Sequence, residues 1–280
     1  MIPTISNRPF EALQLDQLQP PVRGVILDGD GVLWRDTQPI GDLPAAFAAM
    51  RKRGLAITLA TNNAMLTVDD YQAKLHGFGV EMEAWQIVTA GEATADVLLA
   101  AFPHGGSVYI VGEHGLELAL KQRGFEVVSD PSIERPYVAV IGGIDREFTY
   151  ARLQKAAGLI RAGAPFYGTN PDVTFPTPEG LMPGAGAVLA ALKAAAGREP
   201  IIVGKPSALL FQTAAERMQL TPESVLVVGD RLETDIAGGQ AFGARTAAVL
   251  TGVSTSEQAA AWRPPPTIIA RSLEALLGLG

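Results

Sequence analysis

Asp28 and Asp30 stand two positions apart where the apolar run Gly24-Val25-Ile26-Leu27 gives way to Asp28-Gly29-Asp30-Gly31-Val32-Leu33. Side chains at i and i+2 of a strand share a face, so strand geometry carried through this turn would aim both carboxylates into one small volume. Two anions there repel unless a divalent cation lies between them or one holds a proton. Both solutions serve chemistry. A carboxylate beside a divalent cation can attack a phosphorus centre and form an aspartyl phosphate, the role that falls to Asp28. Its neighbour Asp30 can protonate the leaving oxygen and then activate water. Three further apolar runs end in polar residues: Leu55 to Ala60 in Thr61-Asn62-Asn63, Ile201 to Val203 in Gly204-Lys205-Pro206, and Ser224 to Val228 in Gly229-Asp230. Thr61 brings a hydroxyl and a turn whose backbone N–H groups can meet phosphoryl oxygens. Lys205 brings a positive charge to an acidic site. Asp230 and Asp235 can complete an oxygen-rich shell suited to Mg²⁺. The set covers the roles that phosphoryl transfer requires.

Singly, each of these residues has an ordinary explanation. Asp-Gly-Asp-Gly occurs in plain turns, Thr-Asn-Asn caps helices, a lone lysine is usually solvated, and aspartates open helices. Their joint occurrence at four strand ends is what points to one site, because ligands of open parallel sheets bind at the carboxyl edge of the strands. The elements that must hold them alternate short β-rich runs with longer Ala/Leu-rich segments, the pattern of an α/β fold with a Rossmann-like, doubly wound parallel sheet. Between the second and third clusters lie further strand-like runs, Ser107 to Val111, Tyr137 to Ile141 and Ala164 to Tyr167, and helical patterns such as Gly115 to Arg123 and Tyr150 to Ala162. This stretch has apolar residues enough for its own small core. It predicts an inserted, smaller α/β cap domain over residues 84–185, with a discontinuous core domain from 1–83 and 186–280. Pro264-Pro265-Pro266 reads as a stiff connector before a final strand and helix.

The 280 residues are 48% hydrophobic and 18% charged, sufficient for buried cores, and the net charge of -7 argues against nucleic-acid binding through a broad basic surface. There is no cysteine, hence no disulfide or thiolate metal site. The first twenty residues carry Glu11 and Asp16 without an apolar core, and no stretch reaches membrane-spanning length, so a cytoplasmic protein without a membrane partner is expected. Other motifs fail. Glu199 stands where a phosphate-binding Walker loop before Gly204-Lys205 needs glycine, and Trp34 stands where a dinucleotide fingerprint needs its third glycine. His76, His104 and His114 are too scattered for a metal triad, and Trp34, Trp85 and Trp262 read as packing residues.

These motifs, in this order, resemble the haloacid dehalogenase superfamily of phosphatases, in the branch (subclass IIA) whose cap is inserted between the second and third motifs. That branch includes p-nitrophenyl phosphatases, phosphoglycolate phosphatases and NagD-like sugar-phosphate phosphatases. The resemblance runs from about Val22 to Gly252. It rests on Asp28-Gly29-Asp30-Gly31-Val32-Leu33, Thr61-Asn62-Asn63, Gly204-Lys205-Pro206 and Gly229-Asp230-Arg231-Leu232-Glu233-Thr234-Asp235-Ile236, with a fifth match at Thr169-Asn170-Pro171-Asp172, Phe175-Pro176 and Gly180 through Gly186. It implies a Mg²⁺-dependent phosphomonoesterase acting on a small phosphorylated metabolite, with p-nitrophenyl phosphate as an artificial substrate. Asp28 would be nucleophile and metal ligand, and Asp30 would be acid and base with its backbone carbonyl on the metal. Asp230 would be the third ligand and Asp235 a supporting or water-mediated one. Thr61, Asn62 and Lys205 would hold the phosphoryl group, and Asn63 would shape their loop. Asn170, Asp172 and Phe175 would face the substrate from the cap, and a homodimer through the cap is expected. Two departures stand out. Gly29 replaces a usually larger apolar residue, and Phe175 offers a ring where some relatives supply a polar contact, which fits either a different leaving group or cap packing. A phosphotransferase or phosphomutase would use the same intermediate, and a non-catalytic phosphometabolite-binding protein would keep the fold without turnover. A dehalogenase is disfavoured, having no need of Asp30 and Mg²⁺.

Overall fold

The computed structural model describes residues 15–177 and 180–279. Its main sheet has six parallel strands in the spatial order Ile268–Ala270, Arg245–Val249, Val225–Gly229, Gly24–Leu27, Ala56–Thr61 and Ile87–Thr89. The Gly24–Leu27 strand is central and wholly buried, and the pleat sends its side chains alternately to two apolar layers. Val25 and Leu27 join Phe47, Met50, Tyr71 and Leu273 on one side, whereas Ile26 joins Val227, Leu210 and Phe211 on the other. Both faces are therefore covered, as a doubly wound parallel sheet requires.

A second sheet, also parallel, runs in the order Ile201–Ile202, Phe166–Gly168, Ala139–Gly142, Gly106–Val111 and Phe125–Val128. The helices Tyr150–Arg161 and Ala185–Ala196 cover one face, burying Ile160, Leu189 and Leu192 against Tyr109, Val140 and Phe166. Its other face merges with the layer beneath the main sheet, where Val108, Ile110 and Ile141 share one apolar cluster with Ile26 and Val227.

The sheets divide the chain differently from the sequence reading. Ile87–Thr89, expected in the insert, pairs with the main sheet in the register Thr61 to Thr89. Ile201–Ile202, expected in the core domain, is the edge strand of the second sheet, with Ile202 paired to Gly168. The helix Ala185–Ala196, placed mostly in the core by the expected boundary at 185, packs on the second sheet. Short apolar runs specify a strand but not its partner, which is set by contacts distant in sequence. Consequently the four polar clusters do not all end strands of one sheet: three leave the main sheet, and Gly204-Lys205-Pro206 leaves the edge of the second. The final expected pair is present as the strand Ile268–Ala270 and the helix Leu273–Leu276. Among the described residues no helix is long and apolar enough to cross a membrane.

Candidate active site

The carboxyl edge of the main sheet faces the loop from the second sheet across a cavity of about 370 Å³. Asp28, Asp30, Thr61, Asn62, Asn63, Asn170, Asp172, Phe175 and Lys205 all line it. Asp230 and Asp235 lie behind this lining, in the floor.

The central strand ends abruptly. Asp28 N–H still joins the ladder by donating to Val228 O at 2.9 Å, but the Gly29 carbonyl then accepts from Val32, Leu33 and Trp34 N–H at 3.3, 2.8 and 3.1 Å, folding the chain back. Strand geometry does not persist through the pair, so the two aspartates take different surroundings. Asp28 has 12% of its side chain exposed, whereas Asp30 stands in the mouth of the cavity. Gly31, at φ +85°, sits where a Cβ would come within 2.5 Å of the Asp230 carboxyl carbon. Only glycine combines that conformation with that closeness.

Lys205 organises the floor. Its ammonium donates to Asp28 Oδ1 at 2.5 Å, Asp235 Oδ1 at 2.7 Å and Ala60 O at 3.2 Å, using its three N–H bonds. Burial alone would lower the lysine's pKa, but the charges of Asp235 and Asp28 overcome this and hold it above the ordinary lysine range. Asp28 is pushed up by burial and by the carboxylates of Asp235 and Asp230, against the pull of Lys205. Asp230 is raised to about 6 by burial and the neighbouring Asp235 charge. The walls around Asp30 shield it and raise it as well, an effect moderated by the Lys74 charge and the nearby Trp34 indole. Three carboxylates crowded together with too little positive charge form an arrangement that a cation would relieve.

The donor set fits a hard divalent ion. One oxygen from each of Asp28, Asp230 and Asp235 lies within 4.8 Å of the others. Asp230 Oδ1 is buried and has no hydrogen-bond partner among the described residues, while its Oδ2 accepts from Val253 N–H at 2.8 Å. Asp235 is the most committed of the three, since Oδ1 meets Lys205 and Oδ2 accepts from Arg231 N–H at 3.1 Å. It sits in a π-helical turn, Leu232–Ile236, which turns its side chain back under the sheet edge. An all-oxygen set of this kind suits Mg²⁺ or Ca²⁺ rather than softer metals.

The loop after Ala56–Thr61 joins the floor to the loop that follows the strand Phe166–Gly168. Asn62 Oδ1 accepts from Lys205 N–H at 2.7 Å, and its Nδ2 donates to Lys205 O at 3.0 Å and Asp172 Oδ2 at 2.9 Å. Asn170 Nδ2 donates to Asn62 O at 2.7 Å, and Asp172 N–H returns to Asn170 Oδ1 at 3.1 Å. The side chains of Asn62 and Asn170 are thus occupied in tying the two halves together. Asn63 shapes its loop, with Oδ1 accepting from Met65 N–H at 2.7 Å, and Thr61 Oγ1 accepts from Asn63 N–H at 3.2 Å.

The space between the aspartates is filled from elsewhere in the chain. A Cβ on Gly29 would lie 2.3 Å from Cζ2 of Trp34, whose fully buried ring occupies the place of a larger residue. Sequence reasoning also missed Lys74, Asp36, Tyr71 and Arg231, which line the same cavity. Arg231 lay inside a motif already singled out, but Lys74 and Tyr71 belong to the helix Val68–Gly77, where nothing in the spacing distinguishes a face turned to water from one turned to the cavity.

Comparison with known proteins agrees with this geometry. Residues 25–126 match the family model of haloacid dehalogenase-like hydrolases, and residues 202–276 match a second, HAD-hydrolase-like model. An acid sugar phosphatase of Staphylococcus aureus is 34% identical over 245 residues, covering 88% of this chain and 93% of that protein. A p-nitrophenyl phosphatase from Archaeoglobus fulgidus superposes with a TM-score of 0.85 at 31% identity, covering 92% of this chain and 99% of the other. A glycerol phosphate phosphatase from Mycobacterium tuberculosis, solved in complex with magnesium, gives a TM-score of 0.83 at 33% identity over 91% of this chain and 77% of its own. The chain belongs to the haloacid dehalogenase-like hydrolases. Within that family it is a phosphatase of subclass IIA.

Proposed function

We propose that the protein is a Mg²⁺-dependent phosphomonoesterase that hydrolyses a small phosphorylated metabolite, of the sugar-phosphate or phosphoglycolate kind, through an aspartyl phosphate on Asp28. The observation that carries this reading is the Asp28 carboxylate, fixed at 2.5 Å from Lys205 at the base of a cavity whose mouth holds Asp30. Asp28 attacks the phosphorus with one oxygen. Lys205, already on that carboxylate, orients it and offsets charge on the phosphoryl oxygens. Asp30, raised toward its protonated form, donates a proton to the leaving oxygen and afterwards accepts one from the attacking water. The Thr61 hydroxyl, which accepts from Asn63 N–H, can donate its own O–H to a phosphoryl oxygen. Asp28 and Asp230 would hold Mg²⁺ together with the Asp30 backbone carbonyl, and Asp235 would support them while keeping Lys205 in place. When bound, the ion offsets negative charge on the carboxylates and on the phosphoryl group.

The names of the relatives support a sugar phosphate or an aryl phosphate as substrate. The cavity, about 370 Å³, matches a small leaving group. The test is release of inorganic phosphate from a panel of phosphomonoesters, p-nitrophenyl phosphate included, with Mg²⁺ and after chelation. Release that depends on Mg²⁺ and uses water as the only acceptor is expected. No release from any member would leave the non-catalytic binding reading, and transfer to a second metabolite in place of water would make the protein a phosphotransferase.

A further inference from the structure

Trp34 is a fully buried indole whose N–H has no hydrogen-bond partner among the described residues. An unmet buried donor carries a desolvation cost, and native structures retain one mainly where it serves a purpose. The ring itself is held firmly. Tyr71 stacks on it with centroids 6.0 Å apart, Phe78 packs at 6.3 Å, and the Lys74 ammonium lies 4.2 Å from the ring centroid while donating to Asp36 O at 2.9 Å. A cation on an aromatic face and a stacked ring leave the indole little freedom to rotate.

What the firmly held edge faces is the Asp28-Gly29-Asp30 turn. A Cβ at Gly29 would lie 2.3 Å from Cζ2 and 3.1 Å from Cε2, the ring carbon bonded to Nε1. The backbone brings the same residues together: Asp30 and Trp34 form a β-bridge, Gly31 N–H donates to Trp34 O at 2.8 Å, and Trp34 N–H donates to Gly29 O at 3.1 Å. The Asp30 carboxyl lies on the side of the turn that this N–H edge approaches, although no well-aligned hydrogen bond is closed. Gly29 is therefore the residue that admits the N–H edge to the flank of the turn.

We propose that Trp34 is a positioning residue for Asp30, donating its indole N–H to one carboxyl oxygen so that the other faces the leaving group. This rests on the assignment of Asp30 as proton donor. In the first step the Asp28 oxygen forms its bond to phosphorus as the bond to the leaving oxygen breaks. The electron pair of that broken bond takes the proton from Asp30, and the resulting carboxylate keeps the indole N–H on its far oxygen. The donor matters most when the leaving oxygen is basic, because a good leaving group departs without a proton.

The experiment replaces Trp34 in the full chain with 3-benzothienylalanine, which keeps the bicyclic shape and puts sulfur in place of the N–H donor; Trp34→Phe is the second variant, with thermal unfolding of each as a control. With Mg²⁺ present, kcat/KM is measured for p-nitrophenyl phosphate and for the alkyl phosphate that the unmodified protein hydrolyses best. This ratio reports steps through transfer to Asp28, so Asp30's later work on water drops out. A loss of ~10-fold on the alkyl phosphate with less than ~2-fold on p-nitrophenyl phosphate is expected for a lost charge-assisted hydrogen bond. Equal losses on both substrates, or no loss on either, overturn the proposal while the phosphatase reading stands. Absence of turnover in the unmodified protein overturns that reading and this proposal with it.

Discussion

The floor and the wall of the cavity are built in different ways. In the floor, Lys205 and Asp235 expose 5% and 1% of their side chains, and all three N–H bonds of the lysine ammonium are committed to neighbours. The groups come from strand ends and one tight turn, whose positions are fixed by the registers Leu27 to Val228 and Leu27 to Leu59. The wall is drawn from loops, from the helix Val68–Gly77 and from a hairpin of the antiparallel strands Thr174–Thr177 and Gly180–Pro183, with Met65 and Leu66 on one side, and Thr174 and Phe175 on the other. Near Phe175 the hairpin leaves Val173 and Leu181 largely exposed, at 64% and 73%. A floor held by sheet register and ion pairs cannot shift one group without disturbing the rest, whereas a wall of loosely committed side chains can. On the proposed function, attack on phosphorus would belong to the floor, and the choice of leaving group to the wall.

The strongest way to break this division is at Asp28. Asp28→Asn keeps the shape and an oxygen for Lys205 while removing the proposed nucleophile, so phosphate release should fall by ~10⁴-fold or more with far-ultraviolet circular dichroism unchanged. Substantial remaining turnover would place the chemistry outside the floor. Lys205→Met comes next. It leaves Asp28 and Asp235 facing one another without their cation, and the expected result is a loss of ~10³-fold in turnover. The same variant should be about 3 kcal/mol less stable to urea, because one partner of a buried ion cluster has been removed. An unchanged urea midpoint would show that the ion pairs, though well formed, do not hold the floor together.

Much of the floor was legible in the sequence because a charged or polar residue at the end of an apolar run is conspicuous against its surroundings. Asp28, Thr61 and Asp230 each interrupt such a run. Lys205 was legible too, yet its sheet was not: Ile201–Ile202 is too short for its side chains to reveal which strand it pairs with. The wall was less legible. Lys74 lies on an amphipathic helix where a cavity-facing lysine and a solvated one look alike, and Trp34 reads as packing until its N–H edge is seen against Gly29. That glycine shows the limit most clearly, since its cause stands five residues downstream and acts only through folded space.

Acidity offers a smaller test that separates floor from wall without substitution. Burial raises the folded-state pKa of Asp28 and Asp230, the latter to about 6, so the metal-free protein keeps protons that the unfolded chain has already released. A raised carboxyl contributes stability that is complete below its unfolded pKa and is lost as pH rises through its folded pKa. The metal-free protein should thus lose stability as pH rises through about 6. Mg²⁺ must displace those protons, so its apparent affinity should weaken as pH falls, by ~10-fold per unit for each proton displaced. Thermal unfolding with and without Mg²⁺, followed from acid to neutral pH, should show the ion-induced rise in Tm growing with pH. A rise in Tm that is the same throughout would mean that the ion does not bind among these carboxylates.

The smallest effect is expected at Phe175, where it decides between the two uses of the ring. If the ring faces the leaving group, Phe175→Ala should raise KM by ~3- to 10-fold for some substrates and leave others alone, since loss of one apolar contact is worth only that much. The metal affinity and the pH at which it weakens should stay as they are, because this side chain offers the floor neither a ligand nor a charge. If the ring instead packs the hairpin, the loss should appear as a lowered Tm and as the same fall in turnover on every substrate, carried through the Asn62 to Asp172 bond that ties the hairpin's base to the Lys205 loop. A substrate-selective change with an unchanged Tm would establish that the wall can be altered independently of the floor. A uniform change would show that the two are mechanically one, and that the exposure of the hairpin conceals a structural duty.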